Sequence, residues 1–143
     1  MTLYTIGFTK HSAEEFFETL KSAEVNKLID IRINKTSQLA GFAKGSDLPY
    51  FLRVNGDIKY ESIESLAPTK DLLKRYRTKE ISWSIFEDSY LKQIRSSEVL
   101  NSLKPSDFDK ACLLCSENSP EKCHRRLLAE EMQKQWDIQV VHL

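Results

Sequence analysis

Reactive side chains are concentrated in one stretch of the chain, residues 115–126. Cys115 and Glu117 come first, and a second thiol, an imidazole and two guanidinium groups follow at positions 123–126. A thiolate is a nucleophile where cations or a helix N-terminus lower its pKa, and a carboxylate can donate or accept a proton. We therefore predict that Cys115 is either a nucleophile or a small buried lining residue. Glu117 is a candidate acid or base.

Positively charged side chains lie where a helix is predicted to begin, although acidic side chains are favoured at that position. Ser119 followed by Pro120 predicts a helix start, and helix N-termini favour acidic side chains. Lys122 and Arg125 would instead add positive charge to that helix end. Such an arrangement calls for a nearby anion, which is either a bound ligand or an acidic side chain such as Asp30.

A metal site is an alternative use of the same side chains. Cys115, Cys123 and His124, with His11 or His142, could supply sulfur and nitrogen ligands. However, the chain has no CxxC pair, and adjacent residues such as Cys123 and His124 point about 100° apart on a helix. We therefore predict no metal and no cofactor.

Two common phosphate-binding motifs are missing from the sequence. It has no GxxxxGK[ST] loop, and no GxGxxG follows the first strand. A cysteine phosphatase would carry an arginine six positions after its nucleophile, where this chain has Glu121 after Cys115. An anion site here would therefore be of another kind.

The length, composition and net charge are those of one ordinary globular domain. The 143 residues are 41% hydrophobic and 29% charged, and the formal net charge is zero. The zero net charge does not indicate a strongly basic nucleic-acid binder, but it leaves room for a local basic patch. No apolar run is long enough to cross a bilayer, so we expect no membrane association. Three cysteines without an N-terminal signal sequence predict a reducing, cytoplasmic location and no disulfide framework.

The first elements form a βαβ unit. Residues 3–6 are rich in strand-forming side chains, and residues 12–15 form a capping box for a helix that ends at about Ala23. The apolar run at 27–32 predicts a second strand, parallel to the first.

Asp30 and Arg32 interrupt this second strand near its carboxyl end. Alternation places both on one face, away from Ile29 and Ile31. Ligands bind at the carboxyl ends of strands in open α/β sheets, so the two residues are site candidates. A structural ion pair is the alternative interpretation.

The rest of the chain continues the alternation of strands and helices. We predict a short helix over 46–54, a strand over 58–60, helices after Thr69 and over 83–94, a strand over 111–115, a helix from about 120 to 136, and a closing strand over 138–142. The pattern predicts an α/β fold, with residues 1–143 forming a single three-layer, Rossmann-like domain around a mainly parallel sheet.

The most basic run of the chain lies between Lys70 and Lys79, with Tyr76 interleaved among five cations. Such a run is typical of a solvated helix face, and it could also contact nucleic acid.

Several motifs together resemble the family called domain of unknown function 488. The similarity spans essentially the whole chain, and its most specific part is Cys-x-Glu followed by Cys-His-Arg. The motifs that carry it are Thr5-Ile6-Gly7, Asp30-Ile31-Arg32, Leu114-Cys115-Ser116-Glu117, Cys123-His124-Arg125 and Val140-Val141-His142. The chain departs from the family pattern at Gly7-Phe8-Thr9, where members have Gly-His-Ser, at Lys35-Thr36-Ser37, where they have Pro-x-Ser, and at Leu66-Ala67, where they have Leu-Gly.

The resemblance implies a single α/β domain whose motifs form one shared site, but it does not supply an activity. We place Asp30, Cys115 and Glu117 among the catalytic residues, and Gly7, Arg32, Cys123, His124 and Arg125 among the substrate-binding residues.

Three classes of function fit these patterns. The first is a small cytoplasmic enzyme, a hydrolase or transferase, that binds a small anionic ligand or nucleotide, with nucleic acid as a further candidate. The second is a non-enzymatic module that binds nucleic acid or another partner, and the third is a thiol redox or metal-binding protein. The sequence does not determine the oligomeric state.

Overall fold

Five parallel strands form one sheet in a computed structural model that describes residues 1–35, 41–117 and 120–143. The strands of this described part are β1 (Thr2–Gly7), β2 (Lys27–Asp30), β3 (Lys59–Ser62), β4 (Ala111–Cys115) and β5 (Gln139–His142). Their order across the sheet is β3-β2-β4-β1-β5. Two predicted features fall outside the described residues: Thr36 and Ser37 of the Lys35-Thr36-Ser37 motif, and the helix start at Ser119.

Helices cover both faces of the sheet. The α-helices of the described residues are α1 (Ala13–Ser22), α2 (Leu48–Gly56), α3 (Lys70–Arg77), α4 (Trp83–Ser97) and α5 (His124–Gln135). One hydrophobic cluster packs α1 and α2 on one face, and a second packs α3, α4 and α5 on the other. The predicted fold class, an α/β Rossmann-like domain with three layers, is therefore confirmed.

Local signals explain most of the element boundaries. Ser12 and Glu15 form the expected capping box of α1, and Thr69 and Ser82 cap α3 and α4 through their side chains. At α2 the expected cap is wrong, because the Asp47 side chain accepts no hydrogen bond from the first turn. That helix ends at Gly56, and its C-cap, Asp57, adopts the left-handed conformation.

The start of α5 also differs from the prediction. The helix begins at His124, four residues after Pro120, and Cys123 is its N-cap with an extended backbone (φ −139°, ψ 139°). A proline fits a first helical turn but does not force one, so the local signal alone placed the start too early.

The sheet order brings three strand ends together. The central strand β4 pairs with β1 on one side and β2 on the other, with Gly7 opposite Cys115 and Asp30 opposite Leu114. All three strands are parallel, so their carboxyl ends lie at one edge of the sheet. This is the edge where α/β domains bind ligands. The described residues contain no helix that is long and apolar enough to span a membrane.

Candidate functional site

Asp30 and Arg32 form a buried ion pair at the end of β2. Arg32 donates from Nε and Nη2 to the two carboxylate oxygens of Asp30, at 2.9 and 2.8 Å. The Tyr60 hydroxyl donates to Oδ2 of Asp30 at 2.7 Å, and Arg32 also donates to the Ala43 carbonyl and stacks on the Phe8 ring. Burial and the Asp30 carboxylate raise the pKa of Tyr60, so its phenol stays protonated. These contacts fit the interpretation of Asp30 and Arg32 as a structural ion pair, and they fix the orientation of the Arg32 guanidinium.

Arg125 is fully buried behind the strand ends. Its Nη1 donates to the backbone carbonyl of Glu117, and its Nε donates to Oγ1 of Thr5 at 3.2 Å. Burial lowers the pKa of Arg125 to about 10, while the negative charge of Glu117 and of a Cys112 thiolate would oppose that shift. These contacts tie the segment after β4 to β1, so the guanidinium positions the loop that carries Glu117.

Gly7 lies directly beneath this contact. A Cβ atom at Gly7 would overlap the Glu117 carbonyl oxygen and Nη1 of Arg125. Glycine is required here by the close approach of two backbone segments rather than by an unusual dihedral angle. The predicted substrate-binding residue Gly7 therefore acts in the structure as a spacer beneath the site.

A disulfide joins Cys115 and Cys123, so the expectation of no disulfide is wrong. The chain after β4 turns back to α5 and brings the two sulfurs together, which a count of cysteines in the sequence does not reveal. Both side chains are almost completely buried. In this form neither sulfur is a thiolate, so a nucleophilic role for Cys115 requires reduction. Cys112 is the free cysteine, and burial raises its pKa well above the ordinary range.

His124 is held by a hydrogen bond across the sheet edge. Its Nε2 lies 2.8 Å from the Ile31 carbonyl oxygen, which can only accept, so Nε2 carries the proton. Burial lowers the pKa of His124 to about 4, against the opposing effect of that hydrogen bond. The ring also packs edge-on against Tyr90. His124 is therefore a neutral imidazole with a fixed tautomer.

These residues surround a pocket at the sheet edge, here called the inner pocket. Its internal space is about 60 Å³, enough for a few water-sized groups. Its lining includes Arg32, Cys115, Glu117, Lys122, Cys123 and His124, and its aromatic wall is Tyr76, Trp83 and Phe86. Glu117 is an exposed residue of this lining.

A wider depression, here called the basic groove, adjoins the inner pocket and shares Ile33, Asn34, Leu73 and Arg77 with it. Its volume of about 680 Å³ is in the range of ordinary ligand sites. Its cations are Lys35, Lys70, Lys74 and Arg77. Lys35 is paired with Glu64 at 3.0 Å.

The structure brings the sequence-selected residues to one edge of the sheet, but at different depths. Eight residues were predicted to be catalytic or substrate-binding. Gly7 and Arg125 lie beneath the loop after β4. The other six line the inner pocket or support it from the end of β2: Asp30, Arg32, Cys115, Glu117, Cys123 and His124. Sequence reasoning missed Tyr60 and the aromatic wall. Trp83 and Phe86 lie on the helix that was predicted over 83–94, and nothing in their spacing distinguishes a core face from a pocket wall.

The fold and the site define a class of protein: a single Rossmann-like α/β domain with a compact polar site at the carboxyl ends of its parallel strands. Residues 12–132 match the family described as Domain of unknown function DUF488, and the chain belongs to that family. No curated protein and no solved structure shows a significant match to the chain.

Proposed function

We propose that this protein is a small enzyme that binds a phosphate-bearing ligand, a nucleotide or a nucleic-acid end in the cleft formed by the inner pocket and the basic groove. The observation that carries the proposal is the continuity of these two spaces. The inner pocket provides Glu117, two arginines and aromatic rings, and the basic groove provides four cations, of which Arg77 is shared and Lys35 already pairs with Glu64. Phosphates favour such a cationic surface, and bases or other planar groups favour aromatic walls.

Glu117 is the proposed acid or base, because this residue lines the inner pocket and is exposed to solvent. Arg32 and Lys122 would contact negative charge in the pocket. Asp30 would act through Arg32, since both carboxylate oxygens already accept hydrogen bonds from its guanidinium. Arg125 would position Glu117 through its backbone carbonyl rather than contact the ligand.

A thermal-shift screen tests the binding part of the proposal. The ligands are inorganic phosphate, mononucleotides and short oligonucleotides, and the protein is compared with Arg77→Ala. A true ligand raises the melting temperature of the wild type with increasing concentration, and we expect Arg77→Ala to need about tenfold more ligand for the same shift. Arg53→Ala is the matched control, because Arg53 is an exposed arginine on α2, on the opposite face of the sheet.

The proposal fails if no anion stabilises the protein, or if Arg53→Ala weakens binding as much as Arg77→Ala does. For a ligand that binds, mass spectrometry of the incubated mixture then tests turnover. Glu117→Gln should keep the affinity and lose the product, because it removes the proton-transferring group but keeps the shape of the side chain.

A non-enzymatic nucleic-acid module is the second candidate. It is favoured by the basic groove, because one helix, α3, places Lys74 and Arg77 along it and Lys70 at its end. Oligonucleotide affinity would then fall steeply with salt concentration. For each phosphate that the protein contacts, a tenfold rise in salt would weaken the affinity by about tenfold. Glu117→Gln would leave both the affinity and the intact oligonucleotide unchanged.

A further inference from the structure

Three side chains with metal-binding atoms converge at one side of the inner pocket. The sulfurs of Cys115 and Cys123 and a ring nitrogen of His124 all lie within 4.8 Å of one another. We propose that reduction of the Cys115–Cys123 bond creates a binding site for a soft divalent metal ion of the zinc class, held by these three residues. This inference is independent of the proposed anion binding.

The backbone conformation of Cys123 contradicts the sequence-based argument against a metal site. That argument assumed that Cys123 and His124 both lie on a helix and diverge by about 100°. Cys123 is instead an extended N-cap, and the helix begins only at His124. The two side chains can therefore approach the same point, while Cys115 reaches it from the end of β4.

His124 has the hydrogen bonding of a metal ligand. Histidines that bind metals commonly donate the second ring N–H to a carboxylate or a backbone carbonyl. Nε2 of His124 donates to the Ile31 carbonyl at 2.8 Å, which leaves Nδ1 with the free electron pair. The edge-on contact with Tyr90 holds the plane of the ring as well.

The donor set selects the class of metal. Two thiolates and an imidazole favour zinc and related soft ions over magnesium or calcium, which prefer oxygen. Tetrahedral zinc with bonds of about 2.0–2.3 Å separates its ligand atoms by somewhat less than 4 Å. The two sulfurs, which are bonded to each other in the oxidised form, would therefore move apart on reduction, and the His124 nitrogen already lies within 4.8 Å of both. Three protein ligands would leave a fourth position, and because all three residues line the inner pocket, that position would open toward it.

The disulfide and the metal exclude each other because both use the same two sulfur atoms. An external dithiol reduces the bond by giving two electrons and two protons, and becomes a disulfide itself. The protein then has two thiols. Metal binding displaces their two protons to solvent and leaves two thiolates on the metal. Metal binding should therefore occur only under reducing conditions.

Equilibrium dialysis against zinc, followed by elemental analysis, tests the proposal. The protein is first treated with a chelator and then held either reduced or oxidised. We expect about one zinc per chain for the reduced wild type, little zinc for the oxidised wild type, and at least about a tenfold weaker affinity for Cys123→Ser and His124→Gln. Cys112→Ala is the matched control, because Cys112 lies on the opposite face of β4 and should leave zinc binding unchanged.

Two further measurements do not depend on the folding of a variant. Cobalt bound to the reduced wild type should show a thiolate-to-metal charge-transfer absorption band. Zinc should also protect Cys115 and Cys123 from alkylation, with the modified residues mapped by mass spectrometry. The proposal is overturned if reduced wild type binds no zinc, if zinc does not protect these two cysteines, or if the oxidised protein binds zinc equally well. If the reduced protein binds zinc as expected but no anion binds, the proposed function is wrong and the zinc site stands.

Discussion

Gly7 and Glu117 show how closely two backbone segments approach each other at the site. We predict that Gly7→Ala lowers the free energy of unfolding by about 2–3 kcal/mol, because the added methyl group overlaps a backbone carbonyl that is itself held by Arg125. Urea denaturation measures the effect. Gly41→Ala is the control, since a Cβ there meets no described atom within 4 Å, and it should change stability by less than about 0.5 kcal/mol. Equal effects of the two substitutions would contradict the close approach at Gly7.

Arg125 and Arg126 are adjacent in the sequence and differ in their surroundings. Arg125 is fully buried and donates to the Glu117 carbonyl, whereas Arg126 pairs with Glu130 on the surface of α5 at 3.1 Å. We predict that Arg125→Ala costs about 3–5 kcal/mol, because it leaves a cavity and a carbonyl without its donor. Arg126→Ala should cost less than about 1 kcal/mol.

Urea denaturation of the two arginine variants gives the comparison, and similar midpoints would refute the structural role of Arg125. The same reasoning explains why Arg125→Ala is a poor probe of ligand binding. Its loss of stability would be confused with a loss of affinity, whereas Arg77 lies at the surface of the cleft.

At the scale of elements, α4 and α5 are joined by an ion pair. Arg95 on α4 donates to both carboxylate oxygens of Glu131 on α5, at 3.2 and 2.6 Å, and Lys134 adds a third donor. The Arg95 hydrogen bond lowers the pKa of the Glu131 carboxyl below its ordinary value of 4.5, with burial opposing it. The pair therefore contributes to the packing of the two helices against each other.

The sign of the pH dependence follows from this shift. The unfolded chain binds a proton at Glu131 at higher pH than the folded chain does, so the contribution of Glu131 is present above about pH 4.5 and is lost as the pH falls through the folded pKa. We predict that Glu131→Gln costs about 1–2 kcal/mol at neutral pH. The difference from wild type should shrink below about pH 4.5 in urea denaturation.

Glu130→Gln is the control for Glu131. Glu130 is half exposed and pairs with Arg126 one turn away, so its loss should cost no more than about 0.5 kcal/mol. The prediction is contradicted if the difference in free energy of unfolding between wild type and Glu131→Gln stays constant down to strongly acidic pH. The ion pair with Arg95 would then not be the cause of that difference.

At the scale of the whole molecule, the sheet is most stable at its centre. Every residue of β4 is buried and the strand is paired on both sides, whereas β3 is an edge strand with mostly exposed residues. We predict that amides of β4 exchange with solvent only on global unfolding, and that those of β3 exchange at least about tenfold faster through local opening. Hydrogen–deuterium exchange with peptide mass spectrometry measures both. Equal rates in the two strands would contradict this ordering.

Local sequence signals determined the type of most elements of this protein. The side-chain caps at Ser12, Thr69 and Ser82 start three helices, and short apolar runs give the strands, because each depends on residues only a few positions apart. The alternation of strands and helices then requires crossovers, and crossovers make strands parallel. The fold class could therefore be predicted, and it was confirmed.

The tertiary structure decided how these elements meet. Nothing local places β4 at the centre of the sheet, brings Arg125 to Thr5 across 120 positions, or turns Cys123 toward Cys115. The sequence also left Asp30 and Arg32 as either ligand-binding residues or an ion pair, and only the packed structure shows them bonded to each other. The physical reason is that the partners of a buried charge or sulfur are chosen by the packing of distant segments, whereas caps and strand propensity act within one turn of the chain.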